Sequence, residues 1–234
     1  MSVTPEQKHV INCILSIFET GKIPTAASYS MCTILSDGAG ISYGKHQCTD
    51  KSGSLDLVVK KYIELGGVHA EALKAFLPAL ASNESSKVPP KGPWGKTVTD
   101  LVNLLKLAGQ DPIMHTAQDS IFDTNYWDPA VNHAKSAGLT TALGHLICYD
   151  STIHSGAGGV TIIRKRFAAA SPANGGDEKT WCKAYVNARR EWLAGNSNPI
   201  VQNCVYRMDA IKKIMDEGNW DLKMPLAVRG VAIK

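Results

Sequence analysis

The sequence predicts a mainly α-helical protein with one small β element, and three observations carry that prediction. Apolar residues recur at helical spacing through most of the 234-residue chain. Residues 37–53 alone are rich in glycine, serine and threonine and poor in helix signals. The polar, Pro- and Gly-rich run 83–95 interrupts the pattern, as the junction of two lobes would.

The first helix is signed at both ends. Thr4 can cap it, Pro5 fits its first turn, and Gln7 stands where a capping box needs it. Val10, Ile11, Ile14, Leu15 and Phe18 fall on one face, and Gly21 and Pro24 stop the helix. A second short helix is expected over 26–35. Residues 37–53 read as strands and turns, with Ile41-Ser42-Tyr43 a strand start. Helical patterning resumes over 55–65 and 71–80. Beyond the junction it covers 96–108, 112–137, 140–154, 159–169, 177–194 and 199–217. No internal repeat or low-complexity segment interrupts this order.

Composition narrows the functional classes. A chain of this length buries a real core as one large domain or two small lobes. No apolar run approaches the ~18 residues of a membrane helix, so membrane insertion is not expected. The net charge of +4 is spread along the chain. Its densest cluster, Arg164-Lys165-Arg166, is too small for a nucleic-acid partner, although a basic surface suits an anionic polymer better than a cationic one. No basic segment followed by an apolar stretch opens the chain. The expectation is synthesis in the cytoplasm without a signal peptide, with action on the cell wall after release. None of the six cysteines (Cys13, Cys32, Cys48, Cys148, Cys182, Cys204) lies in a CxxC pair; buried thiols are expected, and the even count leaves disulfides open. The seven histidines show no HExxH-type spacing, so no metal is expected.

Two carboxylates stand out by context. Glu19 closes the first helix, where carbonyl dipoles and the adjacent apolar stripe both disfavour a charge, as suits a general acid. Asp37 opens the run Asp37-Gly38-Ala39-Gly40-Ile41-Ser42-Tyr43-Gly44, whose glycines expose amides and admit a polymer closely. A surface glutamate at a frayed helix end and an aspartate in a common Ser-Asp-Gly turn are the plainer alternatives. Asp150 shares a helix face with Leu146 and Ile147, so it needs a cationic partner, for which Arg189, Arg190 and Arg207 are available. His46, His145 and His154 have no serine or cysteine in a nucleophile setting beside them. The five tryptophans could stack on sugars, but Trp127 and Trp192 are expected to pack.

The run from Leu35 to Gly44 after Glu19 resembles the catalytic region of the glycoside hydrolase family 46 chitosanases. Tyr126-Trp127-Asp128-Pro129-Ala130-Val131, Ala134-Lys135, Gly138-Leu139, Tyr149-Asp150, Ile163-Arg164-Lys165, Gly175-Gly176-Asp177-Glu178, Ala188-Arg189 and Gly218-Asn219-Trp220-Asp221-Leu222 are similar to that family in the same order. The resemblance implies a single glycoside hydrolase domain over 1–234, with a two-lobed, lysozyme-like fold and a cleft between the lobes. It implies Glu19 as general acid, Asp37 as general base and Ser42 as the hydroxyl that helps hold the attacking water. It also implies a buried charge network of Asp150, Arg189 and Arg207 behind the acid, Arg207 with a one-residue offset. The family inverts, so its carboxyls should stand ~6.5–9.5 Å apart or somewhat more.

The chain departs from the family at two places. Ser54 stands where chitosanases carry an acidic residue for the substrate's amino group, and Ala39 where they usually carry arginine. Tyr43-Gly44-Lys45-His46-Gln47 looks instead like the Ser-Tyr-Gly-x-x-Gln stretch of phage and bacterial muramidases. The expected function is therefore an inverting muramidase of the endolysin type, monomeric and free of cofactors, acting on peptidoglycan through Tyr43, His46, Gln47 and Ser54. A chitosanase and a non-catalytic glycan-binding module are the alternatives.

Overall fold

A computed structural model describes residues 3–35, 40–82, 98–156 and 158–234. The chain divides into two compact units, one formed by Met1–Ile23 with Asn125–Lys234 and the other by Pro24–Thr124.

The first unit opens with α1 (Pro5–Thr20). Thr4 adopts an extended conformation and its hydroxyl accepts from the Gln7 amide, while the Gln7 side chain accepts from the Thr4 amide at 2.9 Å. This is the expected capping box. Gly21, at φ 73°, closes the helix in the left-handed region. α7 (Asp128–Ala137), α8 (Ala142–Ser155), α9 (Gly159–Arg164), α10 (Glu178–Ala194), α11 (Pro199–Gln202) and α12 (Val205–Asp216) follow. The antiparallel hairpin of β4 (Leu226–Val228) and β5 (Val231–Ile233) ends the unit. α8 is its spine: every residue from Ala142 to Thr152 is buried, so the helix is covered all round. α1, α7, α9 and α10 pack against it. Its N-terminus is capped by Thr141 and by Glu178 of α10, whose carboxylate accepts from the amides and hydroxyls of Thr140 and Thr141.

The second unit begins with a 3₁₀ turn, Ala26–Ser30, and then a three-stranded antiparallel sheet in the order β1 (Cys32–Leu35), β2 (Gly40–Tyr43), β3 (Cys48–Thr49). Cys32 pairs with Tyr43, and Ser42 lies between Thr33 and Thr49. α2 (Ser54–Glu64), α3 (Ala70–Lys74), α4 (Leu77–Ala81), α5 (Val98–Ala108) and α6 (Pro112–Phe122) complete it. Its core joins Ile41 and Tyr43 of the sheet to Leu55, Val58 and Tyr62 of α2, Phe76, and Leu101 and Leu105 of α5.

Most expected helices are present, and the differences have identifiable causes. The helix expected over 26–35 is a 3₁₀ turn followed by β1, because Thr33 and Ile34 are β-branched and find partners in Ser42 and Ile41. The helix expected over 112–137 is broken by a π-helical turn, Asp123–Trp127; Pro129 follows it and has no N–H to continue the ladder. The C-terminal hairpin has no counterpart among the expected elements, since each of its strands has only three residues. The lobe junction expected at 83–95 lies outside the described residues. The unit boundaries fall at Ile23/Pro24 and Thr124/Asn125, and the residues flanking 83–95 belong to one unit. A Pro- and Gly-rich run looks the same whether it links lobes or helices of one lobe. No disulfide joins the six cysteines, and five of them are buried. Burial pushes the Cys32 and Cys48 thiols up to about 11, which makes them poor nucleophiles. No helix among the described residues is long and apolar enough to cross a membrane.

Candidate active site

The candidate residues fall into two groups, one in each unit. In the first, Glu19 occupies the last turn of α1, just past the buried face that Phe18 ends, with its side chain 49% exposed. The Arg207 guanidinium of α12 holds its Oε1 through Nη2. Through Nη1, Arg207 also donates to Asp150 Oδ1 at 2.8 Å, and Arg189 of α10 donates to Asp150 Oδ2 and to the Asp150 carbonyl. Asp150 and Arg189 are fully buried and Arg207 nearly so. The predicted network is thus assembled, and it runs out to Glu19 through one shared guanidinium. Arg190, the third cation considered for Asp150, faces away and pairs with Asp209 at 2.7 Å.

Charge explains the arrangement. Two buried guanidiniums face one buried carboxylate, and Glu19 supplies the second acidic partner. Burial pushes the Asp150 carboxyl up, but Arg189 and Arg207 outweigh it and hold the group below the usual carboxylate range. For Arg207, burial opposes the charge, and Asp150 and Glu19 together overcome it. His154, one turn beyond Asp150, is lowered from the usual histidine value first by burial and then by the two arginines. His145 bonds the Thr141 carbonyl through Nδ1 at 2.9 Å and has a structural role. Trp127 packs its edge on Tyr149 beneath the Lys8 ammonium, as expected of a packing tryptophan.

In the second group, Asp37 and Ala39 lie outside the described residues, between the end of β1 and the start of β2 in sequence. Ser42 is half-buried in β2, flanked by the hydroxyl residues Thr33 and Thr49. Tyr43, expected to touch substrate, is instead a core residue: it is completely buried and its hydroxyl donates to the Leu105 carbonyl at 2.7 Å. Strand alternation turns it inward when Ser42 faces the other way. His46 is also committed internally, its side chain 11% exposed, its Nε2 2.8 Å from Asp119 Oδ1 and its ring stacked on Phe122. Gln47 is exposed, in the left-handed region at φ 51°. Ser54 opens α2, and its hydroxyl accepts from the Thr49 amide at 3.0 Å and bonds Ser52 Oγ at 2.7 Å. It serves as a local tie between the sheet and α2.

Asp119 is the residue that sequence reasoning missed. It accepts from Tyr29 at 2.7 Å, from Lys45 at 3.0 Å and from His46, while its neighbour Gln118 receives the Lys45 amide and donates to the Tyr29 carbonyl. Burial raises the Asp119 carboxyl, but His46, Lys45 and Tyr29 outweigh it and carry it well below its ordinary value. The pair pins the turn 44–47 to α6. Helical patterning alone gives no signal for it, since Asp119 reads as one more polar residue on a helix. Among the described residues no group of His, Cys, Asp and Glu could hold a metal ion.

With this geometry in place, similarity to known proteins identifies the family. Residues 13–226 match glycosyl hydrolase family 46. The chain is 29% identical to a chitosanase of Bacillus subtilis (strain 168), over 96% of this chain and 82% of that one. It is also 29% identical to a chitosanase of Streptomyces sp. (strain N174), over 95% and 78%. Among solved structures, native chitosanase from Bacillus subtilis MY002 superposes with a TM-score of 0.77 at 27% identity and full coverage of both chains. A glutamate-to-alanine mutant of the MY002 chitosanase complexed with 6 GlcN gives 0.75 at 28% identity, over 97% of this chain and 96% of that one. The protein is a glycoside hydrolase, and it belongs to glycosyl hydrolase family 46.

Proposed function

We propose that this enzyme is a chitosanase, hydrolysing the β-1,4 bonds of glucosamine polymer with inversion. One observation carries the reading: its similarity to chitosanases is near full length, and two of the solved relatives hold 6 GlcN or chitotetraose. In this mechanism Glu19 protonates the leaving oxygen, and Asp37, with Ser42, activates water on the opposite face of the sugar. Arg207 gives the acid a partner for its charge once the proton has left, so the network behind Glu19 is balanced in the product of that step.

The muramidase reading rests on Tyr43–Gln47, Ser54 and the basic balance. The first loses weight because Tyr43 and His46 are spent on internal bonds. The excess of +4 is four charges in 234 residues, too small to repel a cationic polymer. Purified protein should release reducing ends from chitosan and leave a peptidoglycan suspension turbid; clearing of peptidoglycan without attack on chitosan would restore the muramidase reading.

A further inference from the structure

The end of α1 that carries Glu19 is held from a second side. The last carbonyls of a helix have no partner within it. Here the Thr20 hydroxyl donates to the Ser16 carbonyl and the Gly21 amide to that of Ile17. The next carbonyl, that of Phe18, accepts from the Tyr206 hydroxyl at 2.6 Å, across 188 residues of sequence. Tyr206 precedes Arg207, so one turn of α12 grips both the backbone before Glu19 and the Glu19 carboxylate.

Tyr206 is itself held. The Arg229 guanidinium lies 3.9 Å from the centre of its ring, and the edge of the ring meets Phe18. Arg229 sits at φ 51° and Gly230 at φ 82° in the two-residue turn between β4 and β5. That turn type favours Asn, Asp or Gly at its first position, and a long side chain there is disfavoured. The exposed arginine therefore works against its own turn while covering Tyr206. The hairpin starts where the family match ends, at Leu226.

We infer that Tyr206 and Arg229 are positioning residues for Glu19, with the C-terminal hairpin acting through Tyr206 to fix the end of α1. This rests on Glu19 being the acid of the proposed reaction. The tests are Tyr206→Phe, which keeps the ring and loses the hydroxyl, and Arg229→Asn, which suits the turn and loses the stacked cation. With chitosan as substrate, Tyr206→Phe should lower kcat about 10-fold and Arg229→Asn about 3-fold at unchanged KM, a scale set by the cost of slight misplacement of a reacting group. Arg229→Lys should regain most of the loss. The thermal midpoint of Arg229→Asn should hold or rise, because Asn fits the turn; a purely structural role would lower it instead. Wild-type kcat in Tyr206→Phe would overturn the inference.

Amide hydrogen exchange over residues 19–22 reads the same clamp without substrate. Tyr206→Phe and Arg229→Asn should each speed it, and unchanged exchange in both variants overturns the clamp. If wild-type protein left chitosan uncut, the functional reading alone would fail, and the exchange data would still decide the clamp.

Discussion

Asp150 and Asp119 each gather several donors, one in either unit, but in opposite surroundings. Asp150 is fully buried among two guanidiniums, and one of these continues to Glu19. Asp119 is 40% exposed and joins Lys45, His46 and Tyr29, tying a turn to a helix. In the first cluster water cannot replace a lost partner, so each charge depends on the others. In the second, solvent reaches Asp119 and partly screens its charge, and what the cluster supplies is the geometry of a turn beside the sheet. Substitutions in the first should therefore cost more stability than those in the second.

The largest expected effect is at Asp150. Asp150→Ala strands the buried Arg189 and leaves Arg207 with Glu19 alone, and a loss of about 3–5 kcal/mol follows, read from denaturant unfolding. Gly44→Ala comes next. Gly44 sits at φ 77° and a methyl there would collide with the Gln118 side chain, which is fully buried and bonded at both ends. About 2 kcal/mol is expected, the sum of backbone strain and overpacking. Asp119→Asn should cost about 1 kcal/mol, because its bonds are partly screened and the amide can still accept one of them. If Asp119→Asn proved as damaging as Asp150→Ala, the contrast between the two clusters would be wrong.

Acid acts on both clusters. Asp150 has a folded-state value below that of the unfolded chain, about 3.9, so its contribution is complete above that pH and is lost as pH falls through the lower folded value. His46 is lowered too, chiefly by burial. The folded state then binds fewer protons than the unfolded one, so stability is lost as pH falls below about 6.5. His154 contributes with the same sign. Thermal midpoints of His46→Gln should therefore fall less between neutral and mildly acidic pH than those of wild type, with the slope from His154 remaining.

Much of this was legible in the sequence, for local reasons. The Thr4 and Gln7 capping box and the α1 stripe are written within a few residues of each other, and both formed. Asp150 declares its need for cations by falling on an apolar face, and the arginines that answer it are two of the three considered. What was illegible depends on cross-strand and tertiary partners. Tyr43 looks like part of a binding motif because nothing local reveals a hydrogen bond to Leu105. Residues 26–35 look helical because β1 exists only through its pairing with β2. Tyr206 and Phe18 are brought together only by the tertiary fold.

The decisive experiment for Glu19 as general acid is the activity of wild type and Glu19→Gln on chitosan, with reducing ends measured over time. Wild type should hydrolyse the polymer, and Glu19→Gln should lose about 10²–10⁴-fold in kcat, the usual contribution of a general acid, with the fold retained. Equal rates for the two proteins would contradict that role.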